Sequence, residues 1–467
     1  MESFIKFIRF YNDMMIGYFL TICTIYFILN IISFKVIRRY TRKIAHAELK
    51  NLFRFSNVEP ISVVVPAYNE GNAIVDSTAA FLQLEYPEFQ IIVVNDGSKD
   101  DTLAKLLTHF VMEKVPFGMI ENIKTKLIRG IYMSRKYPSL MVIDKENGGK
   151  ADAINAGINV SKNPLVCVVD ADSILESDCL LKITQPFIED PNTLAVGGII
   201  RIANGCTVKQ GRVLDIELPH SWLGKFQVVE YLRAFLFGRT GFDAFNALLI
   251  ISGAFGCFKK EALVRAGGYR TNCIGEDMEM VVRMHEIIRK ENSQGRITFI
   301  PDPVCWTEAP ENLRVLKSQR IRWQKGTLQS LGLHKNIFMN PKYGWVGLLV
   351  FPYFVFFEML GPVIEFIGYA IFILSCFMRV IDYPFAILFL TVAILYGVIL
   401  SVLSVILEEM SFRKYPKTKH LLTLFCASLL ENFGYRQLTT WWRFQATIEY
   451  LFGARTWGKM EKKGFKV

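Results

Sequence analysis

The 467-residue chain has only nine cysteines and six histidines, and neither type clusters. No Cys-x-x-Cys pair occurs, and Cys23, Cys376 and Cys426 sit inside apolar runs, so the thiols are read as reduced and structural. The dispersed histidines give no zinc-ligand spacing. A Gly-x4-Gly-Lys-Ser/Thr phosphate loop is also missing. No internal repeat relates the apolar segments to one another, which argues against a transporter built from repeated halves.

What the chain has is apolar mass. Hydrophobic residues make up 51% of it, more than in an ordinary soluble enzyme. Met14 to Phe34 is 21 residues without a charge, enough to span a bilayer and too long for a signal peptide, with no small-residue cleavage site after it. Lys35, Arg38, Arg39, Arg42 and Lys43 follow, against Lys6 and Arg9 before it, so the next part is expected in the cytosol. Trp345 to Met378 is apolar except for Glu358 and Glu365, and Tyr383 to Leu407 is uncharged. His420 to Trp442 is weaker, being interrupted by Glu431 and Arg436. Three crossings there would leave Arg455, Lys459, Lys462, Lys463 and Lys466 outside, so the last segment is expected to be re-entrant or interfacial. Glu358 and Glu365 are seven residues apart, hence on one helical face turned to a water-filled path or the bundle interior, with headgroup depth the alternative for Glu358. The net charge of +11 concentrates beside these spans, including Arg413, Lys414, Lys417 and Lys419. It points to anionic lipid headgroups and not to nucleic acid.

Between the spans a strand and helix rhythm sets in. Ile61–Val65, Gln90–Val94, Leu140–Ile143 and Leu165–Val169 are short strands apolar on both faces. Helical stretches run from about Asn72 to Leu84, from Asp100 and from Ala151. That alternation predicts an α/β fold with a mostly parallel sheet and right-handed crossovers. The strands exit into Pro-Ala-Tyr-Asn-Glu, Asn-Asp-Gly-Ser, Asn-Gly-Gly-Lys and Asp-Ala-Asp, so four polar loops converge on one sheet edge. Asp170 and Asp172 are hard oxygen ligands suited to Mg²⁺ or Mn²⁺ on a diphosphate, although Asp-x-Asp after a strand is also ordinary turn chemistry. Asp96 before Gly97 reads equally as a turn former, and Lys150 as a cation opening a helix beside an anionic ligand.

Leu248–Ile251 is expected to be a further strand, followed by the small-residue loop Ser252–Gly256, where a substrate can approach the backbone. Glu276 and Asp277 open a helix running to about Lys290, either as macrodipole partners or as chemistry. From Asn312 to Leu333, Leu313, Leu316, Trp323, Leu328 and Leu331 form an apolar stripe flanked by Arg314, Lys317, Arg320, Arg322 and Lys325, as in a helix lying in the membrane interface. Gln319, Arg322 and Trp323 share a face, either as a diphosphate and sugar reader or as an interfacial anchor.

Six motifs in order, Pro-Ala-Tyr-Asn-Glu, Asn-Asp-Gly-Ser, Gly-Gly-Lys-Ala, Asp-Ala-Asp, Gly-Glu-Asp and Gln-Arg-Ile-Arg-Trp ahead of apolar spans, resemble the processive family-2 glycosyltransferases. That group includes cellulose, chitin, hyaluronan, mixed-linkage β-glucan and poly-N-acetylglucosamine synthases. The resemblance implies a GT-A-like nucleotide-sugar domain over residues 46–304, an N-terminal span and basic collar over 1–45, interfacial helices over 305–342, and membrane helices over 343–467. It further implies that Tyr68, Glu70 and Asp96 meet the nucleotide, that Lys150 lies near the donor, and that Asp170 and Asp172 hold the diphosphate and its Mg²⁺ or Mn²⁺. Asp277, beside Glu276, would be the general base, Gln319 and Arg322 the diphosphate grip, and Trp323 with Ser252, Gly253 and Phe255 the acceptor site. The implied reaction is inverting transfer from a UDP-hexose to a growing β-glycan, in a multi-pass plasma-membrane protein whose catalytic domain is cytosolic and whose spans carry the polymer out. No motif distinguishes glucose from N-acetylglucosamine; overall resemblance leans to glucose. The alternatives are poly-N-acetylglucosamine synthesis from UDP-N-acetylglucosamine, a non-processive lipid glycosyltransferase, and a transporter. The usual Thr-Glu-Asp is Gly-Glu-Asp here, and no Phe-x-Val-Thr-x-Lys gating sequence occurs. The stretch after Trp442 is too short for a cyclic-dinucleotide-binding domain, so regulation is expected to differ or to reside on a partner.

Overall fold

The computed structural model describes residues 2–46, 58–116, 118, 121–379, 383–415 and 417–453. Residues 47–57, and the basic residues from Arg455 to Lys466, lie outside the described residues. Twelve strands are described: β1 Ile61–Ala67, β2 Phe89–Asp96, β3 Met112–Lys114, β4 Ile128–Ser134, β5 Leu140–Lys145, β6 Leu165–Val169, β7 Ile174–Leu175, β8 Thr193–Ile202, β9 Thr207–Lys209, β10 Arg212–Asp215, β11 Phe255–Lys259 and β12 Arg296–Thr307. Ten of them form one mixed sheet, in the order β3-β4-β5-β2-β1-β6-β11-β8-β12-β7. Its centre, β5-β2-β1-β6, is parallel as the apolar runs predict. Strands β11 and β4 flank that centre in antiparallel sense. β12 runs past residue 304 to Thr307, so the sheet extends into the region expected to be interfacial.

The centre is buried on both faces: every residue of β5 and β6 is inaccessible, as is the crossover helix Lys150–Val160 from Ala151 onward. Such strands leave the sheet only through their ends, which concentrates the polar loops on one edge.

Leu248–Ile251 is not a strand. The Leu248 carbonyl lies 2.8 Å from His285 Nε2, and the Ile251 side chain packs over Gly197 of β8 and Gly256 of β11. A four-residue apolar run buried as a cover on the sheet has the same sequence appearance as one within it.

Glu2–His46 is one continuous helix, and Tyr383–Ser411 another. These contain the two described helices long and apolar enough to cross a membrane, at Lys6–Lys43 and Leu390–Ser411. A third crossing results if Val346–Met359 and Gly361–Phe377, bent by 42°, act as one span. That bend separates Glu358 from Glu365, so the expected single helical face is not formed. Instead both meet the helix Tyr435–Leu451, Glu358 at Arg443 (3.4 Å) and Glu365 at Thr440 (3.2 Å) and Arg436 (3.9 Å). The expected weak span from His420 is broken into Thr418–Leu430 and Tyr435–Leu451. At the break Glu431 is buried against Arg233 (2.6 Å) and Ser401 (2.5 Å).

The helices and the sheet are joined through buried charge. Arg201 of β8 pairs with Glu408, and each side chain is only 2% exposed. Removing one member of such a pair strands the other without its counter-charge. Glu408→Ala is therefore expected to destabilise the protein by about 3 kcal/mol or more, read as a lowered melting temperature in detergent.

Candidate active site

Two nucleotide-side loops are built by their own side chains. After β1, Tyr68 is 44% exposed and Asn69 adopts φ 55°, a left-handed conformation that asparagine tolerates. The N–H groups of Asn69, Glu70 and Gly71 donate to Ser98 Oγ (3.0 Å), Thr102 Oγ1 (2.9 Å) and Asp100 (3.0 Å), clasping this loop to the one after β2. Asp96 lies beneath them, 2% exposed. Its carboxylate accepts from Lys145 Nζ (2.6 Å) and from the N–H groups of Gly148 (3.0 Å) and Gly149 (2.8 Å). Asp96 is thus more than a turn former, because it fixes the backbone that launches Lys150. Gly149 has φ 88°, which a side chain would strain.

Lys150 is the hub of the sheet edge. Its Nζ lies 2.5 Å from Asp170, donates to the Gly253 carbonyl (3.1 Å) and lies 4.0 Å from Glu276. The Gly253 N–H donates in turn to Asp277 (3.1 Å), whose other oxygen accepts from the Met278 N–H (2.8 Å). Residues from the end of β6, the start of the Lys150 helix, the Ser252–Gly256 loop and the start of the helix Glu276–Lys290 therefore meet. Burial works against the charge of Lys150, but Asp170 and Glu276 prevail and raise its pKa. Burial pushes Glu276 up to about 7, with Asp277 adding to the rise and Lys150 and Arg322 opposing it. Asp172 lies two residues beyond Asp170 and is partly exposed at the same strand end. Ser252 shapes the loop by accepting from Ala254 (3.4 Å). Phe255 does not line the acceptor side: as the first residue of β11 it pairs with Val169 and is fully buried.

The helix Leu313–Leu333 closes the site from the other side. Gln319 is 7% exposed with an Oε1 that has no hydrogen-bond partner among the described residues. Arg322 acts on Glu276, opposing the rise of its pKa. Trp323 is 40% exposed, 6.5 Å from the Tyr231 ring and 4.5 Å from the Arg320 guanidinium. Two of the flanking cations are not at a membrane surface: Arg320 is buried on Glu230 (2.6 Å) and Lys325 on Glu449 (2.8 Å). Gly326, which sequence reasoning passed over, touches Gly275. A Cβ at position 275 would lie 2.9 Å from Gly326 Cα, so two glycines allow this helix to cross the loop ahead of Asp277. An isolated glycine inside a helical pattern was the available signal. Ser330 and Gln329 secure the crossing, donating to Gly275 O (3.2 Å) and accepting from Ile274 N (2.8 Å).

Carboxylates at a strand end, a half-buried lysine and a helix carrying glutamine, arginine and tryptophan thus lie at one edge of a GT-A-like sheet. The sequence matches the family described as "Glycosyl transferase family 2" over residues 62–263 and "Glycosyl transferase family group 2" over residues 165–430. The chain belongs to the family-2 glycosyltransferases. It is 31% identical over 270 residues to the poly-beta-1,6-N-acetyl-D-glucosamine synthase of Staphylococcus epidermidis, covering 58% of this chain and 55% of that protein. To the synthase of the same name from Staphylococcus aureus it is 30% identical over 326 residues, covering 69% of this chain and 65% of that protein. The chain thus matches somewhat over half the length of these relatives. Among solved structures it is similar to the mannosyltransferase PcManGT from Pyrobaculum calidifontis, at 18% identity and a TM-score of 0.49, covering 89% of this chain and 99% of that one.

The folded chain keeps the Glu276 proton up to about pH 7, whereas an unfolded carboxyl releases it near its ordinary 4.5. Stability tied to that proton is complete at acid pH and lost as pH rises through about 7. Glu276→Gln, which cannot ionise, is expected to raise stability at about pH 8 by roughly 1 to 3 kcal/mol and to change it much less at about pH 5, in paired thermal melts.

Proposed function

We propose that the chain is a membrane-bound inverting transferase that extends a β-linked N-acetylglucosamine polymer from UDP-N-acetylglucosamine. The observation that carries the reading is Gly253, whose carbonyl holds Lys150 and whose N–H holds Asp277, so the donor side and the base share one backbone reference. The matched relatives support N-acetylglucosamine over the glucose to which sequence resemblance leans. The cations after the first helix favour a cytosolic site, and the candidate spans favour a multi-pass protein.

In this reading Asp277 takes the proton of the acceptor hydroxyl, and that oxygen attacks the anomeric carbon from the face opposite the diphosphate. The bond from that carbon to the phosphate oxygen breaks, UDP departs with the electron pair, and the linkage formed is β. Arg322 and Lys150 set positive charge where the leaving group gains negative charge. Trp323 supports the apolar face of the acceptor sugar. Asp170 and Asp172 provide hard oxygen donors that fit Mg²⁺ or Mn²⁺ together with diphosphate oxygens. Such an ion supplies charge neutralisation on the diphosphate.

Incubating the purified protein with a panel of UDP-sugars, measuring UDP release and digesting the product with linkage-specific hydrolases tests the reading. UDP-N-acetylglucosamine is expected to give the fastest release and a polymer cut by an N-acetylglucosaminidase. A β-glucan made from UDP-glucose would overturn the donor assignment, and a single-sugar glycolipid the polymerase one. Asp277→Asn is expected to lower turnover by about 10²-fold or more while UDP binding, measured by calorimetry, stays within a few-fold. Retained turnover would remove Asp277 as the base.

A further inference from the structure

The segment Arg233–Arg239 is a π-helix, a wide turn that is rare and recurs at functional sites. It ends at Arg239, whose guanidinium carbon lies 3.8 Å from the Phe235 ring centroid. Phe235 meets Tyr231 (5.7 Å), and Tyr231 meets Trp323 (6.5 Å), so a line of rings runs from Arg239 to the exposed tryptophan of the site.

Neighbouring buried arginines have carboxylates: Arg233 has Glu431 (2.6 Å) and Arg320 has Glu230 (2.6 Å). Arg239 is different. Its Nη1 is buried with no hydrogen-bond partner among the described residues. Burial brings its pKa down to about 10, with Asp277 and Tyr231 acting in the opposite sense, so it remains a cation at neutral pH. A buried cationic donor left without an acceptor is costly, and a bound ligand oxygen relieves that cost.

We infer that Arg239 is an acceptor-binding residue, donating to a hydroxyl oxygen of the terminal acceptor sugar and so orienting that sugar on Trp323 with its attacking hydroxyl at Asp277. The inference rests on the transferase reading above. The acceptor is favoured over the diphosphate because in that reading Lys150, Gln319 and Arg322 serve the donor, whereas Arg239 stands at the start of the ring line that ends at Trp323.

The test compares the full-length wild type with Arg239→Ala and Arg239→Lys, using N-acetylglucosamine oligomers as acceptors and calorimetry with UDP. For Arg239→Ala the acceptor KM is expected to rise about tenfold or more, the scale of one lost charged hydrogen bond, with the dissociation constant of UDP within about threefold. Arg239→Lys, keeping the charge without the fork, is expected to recover part of the loss. An unchanged acceptor KM in a variant that still binds UDP overturns the inference, as does a UDP affinity that weakens as much as the KM rises. If Arg239→Ala loses UDP binding through misfolding, the acceptor KM of Arg239→Lys decides: raised supports the role and unchanged removes it. If the wild type turns over only a different UDP-sugar, the donor reading fails, and the same comparison is run with that sugar.

Discussion

One lysine between carboxylates is the constraint on which the site depends. Asp170, Glu276 and Asp277 approach one another at the edge of the sheet, and unscreened like charges at such spacing repel strongly where water is scarce. Lys150 makes the cluster tolerable, 2.5 Å from Asp170 and 4.0 Å from Glu276. It is placed by Asp96, which has no contact with substrate to make in order to matter: it fixes the glycine backbone that launches the lysine. Burial pushes the Glu276 carboxyl up to about 7, and Asp277 adds to the rise.

The second constraint is steric. The helix carrying Gln319, Arg322 and Trp323 reaches the carboxylates only because Gly326 and Gly275 let two backbones touch. The replacement of the familiar threonine by Gly275 is therefore paired with Gly326: the loop gives up a hydroxyl two residues before Asp277 and gains a closer helix. The same helix is held from behind by Arg320 on Glu230 and Lys325 on Glu449, so its position is shared between the sheet domain and the C-terminal helices.

These pairings explain what the sequence could and could not disclose. The four central strands and their loops were legible because a strand buried on both faces must read as an apolar run ending in polar residues. The antiparallel additions, β8 and β12 above all, were not, since their register is set by neighbours distant in sequence. Leu248–Ile251 was misread because burial against a sheet and burial within it leave the same pattern. Arg320 and Lys325 were read as an interfacial collar because the partners that neutralise them lie about ninety residues before and over a hundred after. Phe255 was assigned by its motif position, and only the pairing with Val169 shows that it faces the core.

The helical region and the sheet are more than neighbours. Arg201 of β8 pairs with Glu408, Arg233 with Ser401 and Glu431, and Lys414 with Glu176 (3.2 Å). Each contact sets a charge of the sheet domain against the C-terminal half, and the buried pair Arg201–Glu408 is strongly destabilised by losing one partner. The π-helix Arg233–Arg239 sits at this joint, with Arg233 at one end held by the helices and Arg239 at the other end beside the ring line. Through this short stretch the geometry around Trp323 is tied to the packing of the C-terminal helices, which is why the site cannot be understood as a soluble domain merely anchored to apolar helices.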